Sequence, residues 1–130
     1  MAEALFPRHT DGVTVREQIW GEHAAAIERA LAQADPDLAR YVMEFAYEEV
    51  MARPGLDLKS RELQAVALLI ALGSPPEIAT HLEGALNVGA SEREVRETII
   101  HAALYVGFPR ALAAMKVFAG LLGRRAARNP

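Results

Sequence analysis

The sequence predicts an all-α protein of about six helices in an antiparallel bundle, and three observations carry that expectation. Glycines and prolines punctuate the chain at helix-sized intervals. No stretch alternates apolar and polar residues for long enough to make a strand. Apolar residues make up 52% of the 130 positions, enough for a continuous core, and the links between helical stretches are short, which favours antiparallel neighbours. The length fits a single domain over 1–130.

Residues 1–11 read as a loose leader. A first helix is expected over 13–33, where Val15, Ile19, Ala26, Ala30 and Gln33 fall roughly in line. Asp35-Pro36-Asp37 ends it and starts a second, because Asp35 offers a cap and Pro36 suits a first turn. The second helix runs to about Arg53, with Tyr41, Phe45 and Glu49 on one side, and Arg53-Pro54-Gly55 breaks the chain. A third extends from a cap at Asp57 to Gly73. It is apolar on most of its circumference from Ala65 onward, which makes it central. Ser74-Pro75-Pro76-Glu77 reads as a capping box opening a fourth helix that ends at Gly89. Ser91-Glu92-Arg93-Glu94 is a second box, starting a helix that runs to Gly107. Pro109 opens the sixth, ending near Gly123, with 124–130 as a fraying tail. The third and fourth helices carry more apolar surface than one small chain covers, which predicts an oligomer.

Composition excludes several function classes. The chain has no cysteine, which removes disulfides, thiolate nucleophiles and Cys-ligated zinc. Fourteen basic residues against 17 acidic ones give a net charge of −3, the wrong sign for general nucleic-acid affinity, and Arg124, Arg125 and Arg128 are too few to reverse it. The N-terminus has no apolar run of signal-peptide length. The longest apolar run, Ala65 to Leu72, is too short to span a bilayer, so a cytoplasmic protein is expected.

Three segments then carry a resemblance. Phe45-Ala46-Tyr47-Glu48-Glu49-Val50 leads into Arg53-Pro54-Gly55-Leu56. Arg61-Glu62-Leu63 leads through Leu72-Gly73 to His81-Leu82-Glu83-Gly84-Ala85-Leu86-Asn87-Val88-Gly89. Ile99-Ile100-His101-Ala102-Ala103-Leu104-Tyr105-Val106-Gly107-Phe108-Pro109 closes the set. In this order and spacing, over roughly 12–122, the chain resembles the carboxymuconolactone decarboxylase family, in its 4-carboxymuconolactone decarboxylase branch. The resemblance implies the alkylhydroperoxidase-like helical fold, assembly as a trimer or hexamer, and a role in protocatechuate breakdown. It also implies cofactor-free loss of CO₂ from a small carboxylated lactone. The family's thiol-peroxidase members carry cysteines where Ser74 and Glu77 stand, so that chemistry is excluded here. The chain departs from the decarboxylase branch at Met51, where a Trp is usual. It departs again at Ser74 and Glu83, where basic residues are usual, and at Val88.

Decarboxylation of such a lactone needs cations for the carboxylates, stabilisation of charge growing on the carbonyl oxygen, and a proton for the ring carbon. His81 is the leading proton donor or oxyanion partner, against the alternative of a histidine merely hydrogen-bonded between helices. Glu77, four residues earlier on the same helix face, either orients the imidazole and holds it charged or completes the capping box. Glu62 is either a buried base or an exposed first-turn acid. Arg53 and Arg61 are candidate carboxylate clamps, since a guanidinium fork matches a carboxylate. Arg53 could equally cap helix carbonyls, and Arg61 could pair on the surface. Glu97, His101 and Tyr105 form a stripe at helical spacing, read either as a polar edge or, through the match at His101, as part of the substrate site. Glu49 joins the substrate-binding candidates through the family match alone. No metal site is expected, for no His-x-x-x-His pair exists. Two rival readings remain: an enzyme of the same fold on a different small substrate, and a non-catalytic oligomeric binding protein.

Overall fold

The computed structural model describes residues 13–130, and the leader expected over 1–11 lies outside them. Among the described residues the structure is helical throughout, with no strand. They form two compact units, one ending at Leu58 and one spanning Lys59–Pro130.

In the first unit, α1 (Val15–Trp20) is capped by Thr14, whose hydroxyl accepts from the Glu17 amide. The single helix expected over 13–33 is broken here. Gly21 sits at φ 57, a left-handed conformation that a side chain would strain, and a 3₁₀ turn, Gly21–His23, leads into α2 (Ala24–Ala34). Asp35 caps α3 (Pro36–Arg40) as expected, its carboxylate accepting from the Leu38 amide at 2.7 Å. Beyond Arg40 the winding loosens into a π-helix, Tyr41–Met51. Tyr41, Phe45 and Glu49, the expected common side, are all exposed. The buried side chain of this stretch is Tyr47, whose hydroxyl accepts from Trp20 Nε1 at 3.2 Å. Arg16 bridges the unit, donating to Glu28 at 2.9 Å and Glu48 at 3.0 Å.

The second unit contains α4 (Leu58–Leu72), α5 (Pro75–Asn87), α6 (Glu92–Val106) and α7 (Phe108–Arg128). One apolar cluster joins all four: Val66 and Ile70 from α4, Ile78, Leu82 and Ala85 from α5, Val95, Ile99 and Ala102 from α6, and Ala114, Phe118 and Leu121 from α7. The box at Ser91 forms in full: Glu94 N–H donates to Ser91 Oγ at 3.0 Å and Ser91 N–H to Glu94 Oε1 at 3.1 Å.

Three expectations need correcting. The box at Ser74 does not form, because Ser74 makes no side-chain cap bond. The caps at Asp35 and Ser91 both accept from the third helical amide, and the corresponding amide here, that of Glu77, is not engaged by the Ser74 side chain. Ser74 also has ψ 91, well short of the 159 of Ser91, which does cap. The fourth expected helix is well covered, with Ile78, Leu82 and Ala85 inside. Within the second unit the exposed large apolar side chains lie on the third expected helix, α4 (Leu68, Leu72), and beyond the fourth on α6 (Ile100, Leu104, Tyr105) and the start of α7 (Phe108, Leu112). The tail does not fray at Gly123, since α7 continues to Arg128. Its last turns are fastened to α5 by Glu83, which accepts from Arg128 at 2.7 Å and Arg125 at 3.3 Å, while Arg125 also reaches Asn87 at 3.2 Å. No described helix is long and apolar enough to cross a membrane.

The Glu83 anchor has a measurable weight. Its carboxylate is mostly shielded while both guanidinium groups are about a third exposed, so Glu83→Ala is expected to cost about 1–2 kcal/mol in urea unfolding. Amide exchange over 124–128 is expected to accelerate, while the rest of α7 keeps its protection.

Candidate functional site

The second unit brings three of the sequence-predicted residues together. Glu62 continues the inward face of α4, since Val66 and Ile70 follow it at four-residue steps and all three are buried. A carboxylate with 0% exposure requires a strong partner, and its partner is His81 of α5, whose Nδ1 lies 2.7 Å from Glu62 Oε2. A carboxylate oxygen only accepts, so Nδ1 carries the proton and donates it. The other oxygen, Oε1, is buried and accepts no hydrogen bond among the described residues.

His81 sits at the rim, its side chain 14% exposed. On α5, Leu82 beside it and Ile78 one turn back are in the core, so packing and the Glu62 bond together fix the ring. Its second nitrogen, Nε2, faces Glu77 Oε2 at 3.8 Å, and Glu77 is 60% exposed. That separation is too long for a hydrogen bond and leaves a Coulombic attraction. Burial disfavours the imidazolium, but the Glu62 hydrogen bond and the charges of Glu62 and Glu77 outweigh it, so the His81 pKa is raised above its ordinary value. The orienting carboxylate is therefore Glu62. Sequence spacing pointed to Glu77 for that role, since a partner at i−4 is visible in one dimension and a partner on another helix is not.

Of the remaining candidates, Arg61, His101 and Tyr105 belong to the second unit. Arg61, half-buried on α4, is one residue from Glu62 and so points about a quarter-turn away. His101 and Tyr105 are exposed on α6, their rings 5.5 Å apart and tilted by 57°. Arg53 and Glu49 are exposed residues of the first unit.

Sequence reasoning missed a second feature. A groove of about 540 Å³ runs between α6 and α7, walled by Ile99, Ile100, Ala103, Phe108, Leu112 and Met115 among others. All its lining residues are apolar, and none is a predicted site residue. Ile100, Leu104, Phe108 and Leu112 recur every four residues across Gly107, a signal visible in the chain but split by the helix break.

The Glu62–His81 bond makes a definite pH prediction. A folded-state imidazole pKa above the unfolded one stabilises the fold fully below the unfolded value, and that contribution is lost as pH rises through the folded value. NMR titration is expected to place His81 above the ordinary histidine value and to move it down in Glu62→Gln. Urea unfolding of the wild type is expected to weaken across the same interval, and His81→Gln to lack that decline.

Comparison with known proteins shows the chain's relatives. The model of the carboxymuconolactone decarboxylase family matches residues 36–120. The chain is 37% identical over 109 residues to the 4-carboxymuconolactone decarboxylase of Acinetobacter baylyi, covering 83% of this chain and 81% of that protein. It is equally 37% identical over 110 residues to the nitrosuccinic acid decarboxylase of Metarhizium robertsii, covering 82% and 76%. An uncharacterized 15.0 kDa protein of Paracoccus denitrificans is 28% identical over 91 residues, 68% of each chain. With a family model spanning well over half its length and two relatives above a third identical, the chain belongs to the carboxymuconolactone decarboxylase family.

Proposed function

We propose that this chain is a carboxy-lyase that removes CO₂ from a small carboxylated lactone of the 4-carboxymuconolactone type, with His81 as its proton donor. One observation carries the reading: a fully buried carboxylate holds His81 Nδ1 at 2.7 Å and leaves Nε2 on the accessible side. That arrangement resembles what a general acid requires, a fixed ring with one nitrogen committed to the protein and the other available.

The chemistry needs little else. The bond from the ring to the carboxylate breaks, CO₂ departs, and its electron pair passes through the conjugated ring to the carbonyl oxygen. The electrons then return as the ring carbon takes a proton from Nε2–H, and solvent restores that proton. Net, one carboxylate and one proton become CO₂ and a C–H bond. The lactone is its own electron sink, so the reading calls for no cofactor. Arg53 and Arg61 are the guanidinium groups proposed to hold the carboxylates, with His101, Tyr105 and Glu49 proposed as further substrate contacts. Purified protein supplied with 4-carboxymuconolactone is expected to release CO₂. His81→Ala and Glu62→Gln are each expected to lower kcat by about 10²–10⁴-fold, and equal rates in wild type and His81→Ala would defeat the assignment.

A second substrate reading is favoured by Glu83, which is occupied by Arg125 and Arg128 where the decarboxylase branch carries a base. Nitrosuccinic acid, named for one relative, bears its nitro group on a carbon next to a carboxylate. Loss of that CO₂ sends the electrons to the nitro oxygens, and the same imidazole can protonate the carbon. Parallel assays with both acids distinguish the two substrates.

The exposed apolar side chains of α6 and α7 support assembly. We propose that a second copy covers the groove, within a trimer or hexamer, because a contiguous apolar surface of this kind is rarely left in water. Light scattering is expected to give a mass of three or six chains for the wild type and a smaller one for Leu112→Glu, whose substituted side chain projects from an exposed position and leaves the core intact.

A further inference from the structure

We infer that Glu77 holds, in the resting protein, the place that a substrate carboxylate takes at His81 Nε2, so that an acid binds by exchanging with a carboxylate the protein already carries. This rests on the reading of His81 as the group that meets the substrate, and it assigns to Glu77 a part in selecting that substrate.

The geometry leaves Nε2 as the one ring nitrogen open to exchange. Nδ1 is bound to Glu62 inside the core, and among the described residues Nε2 has no partner but Glu77. Glu77 approaches from one turn upstream to 3.8 Å, attracted by charge without a directed bond. Among the described residues no other hydrogen bond or ion pair retains it. Its side chain is 60% exposed, and the capping bond that would have engaged it at the head of α5 is not formed. Rotation about its own side-chain bonds carries it into solvent without moving the helix.

An incoming carboxylate that hydrogen-bonds to Nε2 would come within a few ångströms of Glu77 if Glu77 stayed, and two like charges at that distance repel. The two carboxylates therefore alternate. An arriving acid prevails because it can close to hydrogen-bond distance, about 2.8 Å, where Glu77 stops short. A neutral analogue exerts no such repulsion and gains no charge-assisted bond, so it leaves Glu77 in position. The exchange thus selects anionic over neutral ligands, and it weakens anion binding by whatever it takes to displace Glu77.

Succinate and its neutral diamide, succinamide, are suitable probes. Binding is followed by NMR through the imidazole signal of His81, identified by its loss in His81→Gln, at about pH 5.5, below the ordinary imidazole pKa, so that the ring is charged in every variant. Glu77→Gln and Glu77→Ala are each expected to bind succinate about two- to fivefold more tightly than wild type, the range of an exposed ion pair. Succinamide binding is expected to stay weak in all of them. A folding defect weakens binding, so tightening in both variants is an outcome that a merely structural role for Glu77 would not produce. Succinate affinity unchanged or reduced in both variants, with wild-type binding still lost in His81→Gln, overturns the exchange and leaves His81 as the acid site. Succinate that fails to perturb the His81 signal in the wild type overturns both.

Discussion

A carboxylate sealed inside a helical core is tolerated only if something positive meets it, and the bond between Glu62 and His81 answers that requirement. It fixes more than one pair of atoms. Glu62 lies in line with Val66 and Ile70 on α4, and His81 lies beside Leu82 and one turn from Ile78 on α5. The polar contact and the apolar packing of these two helices are thus set by the same register. Shifting either helix by one residue would turn Glu62 toward solvent or His81 away from it, and would expose core side chains at the same time. Removing one partner leaves the other buried and uncompensated, which is far costlier than replacing both.

On the proposed reading, the same bond prepares the imidazole for proton transfer. Commitment of Nδ1 fixes the ring's orientation, while the paired acids keep the ring protonated to higher pH than an isolated histidine. Glu62 and Glu77 act on one ring from opposite circumstances. The first is fully shielded, so its electrostatic effect is strong. The second is 60% exposed, so its effect is screened and weaker.

How far all this was legible in the chain depends on whether the signal was local. The caps at Asp35 and Ser91 were readable because every participant lies within three residues. The failed cap at Ser74 was not readable, since Ser74 and Glu77 stand at the same spacing as Ser91 and Glu94 and only the backbone angle of Ser74 sets the two apart. The break at Gly21 was obscured by a continuous apolar line from Val15 to Ala30, and the π-helix by the assumption of regular α winding, under which Tyr41, Phe45 and Glu49 share a face. The identity of Glu62's partner was not legible, because 19 residues and a helix turn separate it from His81. Family resemblance marked both residues without saying that they touch. The persistence of α7 to Arg128 was likewise hidden, because its anchor is an acid 45 positions earlier.

Charge accounting around the site narrows what kind of ligand it can hold. The trio contains one potential cation and two acids, so it carries no surplus positive charge for a dianion, and the imidazolium alone attracts only one carboxylate strongly. Arg125 and Arg128 are drawn to Glu83. On the proposed reading, a substrate with two carboxylates takes one counter-charge from the imidazolium and the other from Arg53 or Arg61, and specificity depends on which guanidinium reaches the ligand's far end.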